Sequence, residues 1–397
     1  MQISRRGMIA VGTSSALITA TGLGVGRELA DQAALTADTF DATHDYPSSN
    51  PLAQPGVERE PDAHTTLLAF DLLPGIDRRA MLRWMTLLTD DIARLQRGLG
   101  TVGDPQPELA GDTGTLTGIV GFGPGLFEKL GLQGQEPEGF GRLPSFAVDE
   151  LRPEWSDGDL LIQVAGEDQL AVAHAVRALI RDSLEFGQVR WLQSGFSNRD
   201  ARTGGVQRNL MGQVDGTDNP VLGSDDFAQL VWISDGPKWA VGGTQLVVRR
   251  IKMKLDTWDS LGRTQQESVI GRKLDSGAPL TGTKLSDAPD FAARNAAGMP
   301  IIPDVAHIRR AAATNLRERF YRRPFNYLAE PVAGGQQEAG MLWTACAANL
   351  TEQYVPVQQR LAKFDLLNTW TVPVGSAVFA VPPAPKPGRV LGEELFS

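Results

Sequence analysis

From His64 to Phe196 the apolar pattern passes through segments whose order leaves few folds open. "HTTLLAFDLL" (64–73) has the composition of a strand. From Asp77 to Leu99, Met81, Trp84, Met85, Leu88, Ile92 and Leu95 recur at helical spacing. "GTLTGIVGFG" (114–123) and "GDLLIQVAG" (158–166) read as strands, 168–186 as an Ala-rich helix, and "GQVRWLQSGF" (187–196) as a closing strand. Strand, helix, strand, then strand, helix, strand is a split βαβ arrangement, so the expected unit is ferredoxin-like, with an antiparallel sheet. The second half repeats the plan more loosely. Strands are expected at 226–234 and 243–253, a helix near Thr257, a strand at 339–350, a helix at 351–366 and a last strand at 375–383. Between Arg272 and Phe325 runs an irregular insert well beyond ordinary loop length, which marks it as functional. The fold class is therefore α+β: two ferredoxin-like modules, 63–212 and 213–397.

The chain has 397 residues, enough for two cores of that kind. A formal net charge of -9 provides no general basic field, so nucleic acid is not an expected partner. The single cysteine, Cys346, excludes an internal disulfide, a cysteine zinc site and a Cys-x-x-Cys-His haem attachment. Set in "MLWTACAANL", it reads as a small buried hydrophobe.

Residues 1–37 carry an address. Arg5 and Arg6 stand directly before an apolar stretch diluted by Gly, Ser and Thr, too weak for a membrane span. This resembles a twin-arginine export signal, with Met8 and Ile9 in the apolar positions after the pair. Its partner would be the twin-arginine translocase, and its destination periplasmic or extracellular. That route carries folded, often cofactor-loaded proteins. Residues 38–62 are polar and Pro-rich and read as a flexible linker.

Two segments hold candidate chemistry. "GQVDGTDNP" (212–220) sets Asp215 between Val214 and Gly216, in a stretch dense enough in turn residues to be an ordinary turn. It lacks the alternating acids of a calcium loop. Of the four histidines, His44, His64 and His174 read as solvated or structural. His307 lies instead in the insert, in "IPDVAHIRRA", where Pro303 and Asp304 announce a short helix that could aim an imidazole at a metal.

Taken together, "MGQVDGTDNP", "IPDVAHIRRA" and "YRRPFNY" resemble the signature segments of the dye-decolourising peroxidases. "LTGIVGFGPGLFEKLGL", "GDLLIQVAGED" and "VGSAVFAVPP" resemble that family's flanking segments, and the likeness runs from about His64 to the end. It implies two ferredoxin-like modules packed around one non-covalent haem b, with His307 as the proximal iron ligand. It also implies Asp215 as distal proton shuttle, in a turn that Gly216 permits, with Thr217 beside it at the cofactor. The arginine pair supplies a distal cation that contacts both cofactor and peroxide; spacing from His307 favours Arg323 over Arg322, and Pro324 stands where the family commonly has Gly. Asp365 matches the segment that supplies an acid to the proximal histidine, and reads equally as a solvated acid at a helix end. Trp343, where a Phe is frequent in the family, reads as a pocket-lining or a plain core residue, while Tyr327, Tyr354 and Trp370 are relay candidates or packing residues. The implied activity is hydrogen peroxide-dependent oxidation of bulky phenolic or dye-like donors. Release of iron from haem, as a deferrochelatase, is the alternative. A homo-oligomer stays open.

Overall fold

The computed structural model describes residues 50–111, 116–198, 207–331 and 337–397. The expected export segment and the first part of the expected linker lie outside these residues. The remainder of that linker, residues 50–62, is packed: Gln54, Val57 and Asp62 are each about 1% exposed. The Gln54 side chain donates to the carbonyls of Val120 and Pro382, both at 2.9 Å, and accepts from the Val120 amide at 2.8 Å. A fully paired buried amide that spans both modules fixes this segment, so the flexible reading fails there.

The first module follows the expected order: β1 (His64–Leu72), α1 (Arg78–Gln96), β2 (Thr117–Phe122), α2 (Pro124–Leu130), β3 (Leu160–Gly166), α3 (Gln169–Ser183) and β4 (Gly187–Phe196). Helix α1 begins where Asp77 accepts the Ala80 amide at 2.8 Å. It buries Met81, Trp84, Met85, Leu88, Ile92 and Leu95, the residues whose spacing announced it. The strands pair antiparallel in the order β2-β3-β1-β4.

The second module comprises α4 (Asp225–Val231), β5 (Thr244–Met253), α5 (Leu255–Asp259), α6 (Arg263–Ile270), α7 (His307–Ala311), β6 (Tyr321–Arg322), β7 (Phe325–Leu328), β8 (Ala339–Ala347), α8 (Leu350–Phe364), β9 (Thr371–Val381) and α9 (Glu393–Phe396). One expectation is corrected here. Residues 226–234 are largely helix, because Ser224 caps the Phe227 amide at 3.0 Å and Asp225 and Asp226 occupy the first turn. The strand completing the module is instead the short β7, after Pro324.

The pairings β9-β5-β8-β7 give the second sheet the same order as the first, all antiparallel. Single pairs, Phe122 with Ala380 and Phe196 with Asn326, join the two sheets at both edges and close them into one barrel. Its interior is filled by side chains, among them Leu67, Leu161, Trp191, Val248, Phe325 and Phe379. Helices α1 and α3 cover the outer face of the first sheet. On the outer face of the second, α8 packs its Leu350 and Tyr354 against Val247, Ala345 and Val378. The rest of that outer face borders a cavity.

Candidate functional site

The cavity measures about 440 Å³, within the range of small-molecule sites. Its sheet wall is Ile251, Met253, Met341 and Trp343, with Val357 and Leu361 from α8 and His307 and Ile308 from α7. The insert encloses it through residues 285–291. Almost all lining residues come from the second module, so the two modules do not sandwich the space; it lies on one side, against the second sheet.

His307 starts α7, and its Nδ1 lies 2.6 Å from Asp365 Oδ2. Asp365 ends α8; its side chain is only 3% exposed, and Oδ1 accepts the Leu367 amide at 2.9 Å. The Leu366 amide donates to the Val305 carbonyl at 3.0 Å, tying the two segments together. Asp365 is thus no solvated helix-end acid. Burial works to lower the His307 pKa, but the charge and hydrogen bond of Asp365, with the charge of Asp215, outweigh it and raise the value. With Nδ1 engaged, Nε2 is the nitrogen left for the cavity.

Asp215 also lines the cavity. Its loop returns on itself: Arg208 bridges Val214, and the Asp215 amide donates to the Gln207 carbonyl at 3.0 Å. Gly212 and Gly216 have φ of 81° and 83°, a region that disfavours side chains. The Gly216 amide donates to Asp215 Oδ1 at 2.6 Å, which orients the carboxylate. Thr217 lines the cavity too.

The arginine assignment is corrected. Arg322 lines the cavity, its Nη1 3.8 Å from Asp215 Oδ1. Arg323 is 2% exposed and turns into the barrel, where Nη1 donates to the Gly56 carbonyl. Its Nε and Nη2 have no hydrogen-bond partner, and its charge is felt by the buried Cys346. Neighbouring residues on a strand face opposite sides, so only one of the pair can meet Asp215. Tyr321 and Arg323 point inward and Arg322 outward.

Sequence reasoning missed Arg272, Arg249 and Asn219. Burial lowers the Arg272 pKa; Asp218 opposes this and the neighbouring Arg322 adds to it. Arg272 and Arg322 both line the cavity and feel each other's charge, an arrangement that suits anionic groups such as carboxylates. Of the relay candidates, Tyr354 lines the cavity beside Trp343, ring centroids 5.5 Å apart, and burial pushes its pKa up to about 12. Tyr327 is enclosed elsewhere under Arg250, 4.3 Å from its ring, and Trp370 packs edge-on against Trp258. His174 is structural, its Nε2 2.7 Å from Asp104, and Cys346 is buried with its thiol pushed up to about 11.

Among the described residues no cluster of three or more His, Cys, Asp or Glu could hold a bare metal ion. A single histidine backed by a carboxylate, in a cavity with apolar walls and arginines at one side, suits a metal carried in an organic macrocycle. Haem fits these residues: one axial nitrogen, apolar surface for the ring and cations for its propionates.

The N-terminal family model of the Dyp-type peroxidases matches residues 54–197, and the C-terminal model matches 206–386. The chain is 32% identical to a dye-decolorizing peroxidase of Thermobifida fusca, over 99% of this chain and 97% of that protein. It is 33% identical to a deferrochelatase of Yersinia pseudotuberculosis, over 82% and 79% respectively. The crystal structure of a DyP-type peroxidase from Cellulomonas bogoriensis is similar throughout, with a TM-score of 0.83 and 43% identity over 88% of this chain and 97% of that one.

Proposed function

The chain belongs to the dye-decolourising peroxidase family of haem enzymes, and from that premise we propose a division of labour in which His307 is the axial ligand and Asp215 and Arg322 handle peroxide. One haem b is held per chain, non-covalently, and the donors oxidised are bulky phenolic or dye-like molecules. The observation that carries this reading is the presence in one cavity of the His307–Asp365 pair and the Asp215–Arg322 pair.

Bound haem supplies the iron at which peroxide is reduced and through which the donor's electrons are collected. The chain does the rest. Asp365 accepts a hydrogen bond from the His307 Nδ1–H, which keeps the ring in one tautomer and would make Nε2 a stronger donor to the metal. The Asp215 carboxylate would take the proton from one peroxide oxygen and return it to the other, so that when the O–O bond breaks, with the two electrons drawn from the bound haem, the protonated oxygen can leave as water. Arg322 stabilises the negative charge that builds on the departing oxygen. Arg272 suits propionate binding, whereas Arg249 is buried and paired with Asp149; the apolar walls exclude bulk water.

Similarity to deferrochelatases supports a second reading on the same site, release of iron with the porphyrin left whole. Product analysis with haem as substrate separates the two: free porphyrin in amounts exceeding enzyme favours iron release. Export by the twin-arginine route to the periplasm or beyond is part of the proposal, supported by Arg5 and Arg6 before the apolar stretch.

The distal assignment is tested by stopped-flow reaction with hydrogen peroxide. Arg322→Leu should lose about 10²–10³-fold in rate, as expected for one preformed electrostatic donor. Arg323→Leu should react at close to the native rate, since its side chain lies in the barrel. The reverse order would overturn the assignment.

A further inference from the structure

Arg322 needs a reason to stay where it is. Its Nη1 is 3.8 Å from Asp215 Oδ1, beyond hydrogen-bond reach, and that pairing alone would hold a long flexible side chain weakly. The Asp215 oxygen is itself committed to the Gly216 amide. A different residue provides the grip. Strand β6 pairs with β8 along one edge only, through Tyr321 opposite Cys346 and Arg322 opposite Ala345. On the other edge Asn219 Nδ2 donates to the Arg322 carbonyl at 2.8 Å, and Asn219 Oδ1 accepts the Arg322 amide at 3.2 Å. The same oxygen accepts Arg322 Nε at 3.1 Å.

We propose that Asn219 is a positioning residue for the peroxide reaction, clamping Arg322 by backbone and side chain at once so that its guanidinium faces Asp215. The proposal rests on Arg322 being the distal arginine. A primary amide suits the role because it offers a donor and an acceptor in one plane, matching the C=O and N–H that a missing neighbour strand would have paired. Holding Nε fixes the guanidinium at its stem and leaves Nη1 for the cavity. Asn219 belongs to the Asp215 loop, its own amide donating to the Gly216 carbonyl at 3.3 Å. One short loop therefore sets the carboxylate directly and the cation indirectly, and their separation is built into that loop. Aspartate at 219 would keep the acceptor and lose the donor, whereas glutamine would keep both a methylene too far away.

The test is a double-mutant cycle on the haem-loaded protein, using native, Asn219→Ala, Arg322→Leu and the double variant. Two quantities are read: the peroxide reaction rate, and the fluoride dissociation constant from the visible spectrum, which reports the distal cation without turnover. Asn219→Ala should slow the reaction about 10- to 100-fold, the order of loss for a group misplaced by about 1 Å, and should weaken fluoride binding. In the Arg322→Leu background it should change neither quantity by more than about twofold, because residues acting as one unit are not additive. Asn219→Asp should recover most of the loss by restoring the acceptor. If Asn219→Ala loses haem, Asn219→Gln takes its place and should show the same coupling. The proposal fails if Arg322→Leu is slow while Asn219→Ala and Asn219→Gln react as native, or if their loss persists undiminished without Arg322. An Arg322→Leu variant as fast as native would instead remove the distal assignment, and this proposal with it.

Discussion

Asp91 should make this fold less stable as the solution becomes neutral. It lies on α1, 4% exposed, with Asp90, Asp182, Arg94 and Arg181 as its charged neighbours. Burial, reinforced by the charges of Asp182 and Asp90 and opposed by Arg94 and Arg181, pushes its pKa from 3.8 to about 7. Below the unfolded value both states carry the proton and nothing is lost. As pH rises from about 4 to about 7 the unfolded chain gives up its proton while the native one retains it, so stability falls by about 1.4 kcal/mol per unit. Over that window the loss reaches at most about 4 kcal/mol and is constant above it. Asp104, whose pKa is lowered by the Gln106 amide and by His174 against the effect of burial, adds a slope of opposite sign at lower pH. Asp91→Asn removes the first slope while keeping size and polarity. Urea unfolding at pH 5 and pH 8 should show the variant more stable than native by about 2–4 kcal/mol at pH 8, the gain shrinking steadily as pH falls to 5. A variant no more stable than native at pH 8, or one retaining the native dependence between the two pH values, would refute the argument.

Two further outcomes are expected. Asp365→Asn should weaken haem binding about 10- to 100-fold, as for other hydrogen-bond partners of metal-ligating histidines; an unchanged affinity in spectrophotometric titration would detach Asp365 from that role. Replacing Arg5 and Arg6 together by Lys should leave the precursor in the cytoplasm by fractionation and immunoblot, and normal export of that variant would end the address reading.

The first module was readable because its signals agree: the apolar run of β1, the apolar stripe of α1 and the Ala-rich run of α3 all point one way. The stretch at 226–234 was misread because Phe227, Val231 and Trp232 are residue types that favour strands, while the deciding cap sits just upstream at Ser224. Residues 50–62 look like a linker in composition; only the partners of Gln54, distant in sequence, reveal that they are buried. In the site, His307, Asp215 and Asp365 were singled out by the resemblance of their segments, while the residues alone left Asp215 open to an ordinary turn and Asp365 to a solvated helix end. The choice between Arg322 and Arg323 was not settled by spacing from His307, because the insert between them is irregular. The alternation on β6, inward at Tyr321 and outward at Arg322, decides which of the two lines the cavity. Asn219 was hidden because its role is a long-range pairing that a turn-rich loop does not announce.

The central claim is that this cavity holds haem through His307. Adding haemin in small portions to the cofactor-free protein, and following the Soret band, measures it directly. The native chain should saturate at one haem per chain, and the loaded protein should then oxidise a phenolic dye on addition of peroxide. His307→Ala should form no such stable complex and give no such oxidation. Native protein that fails to bind haem, or a His307→Ala variant with the same saturation point and spectrum as native, would contradict the account.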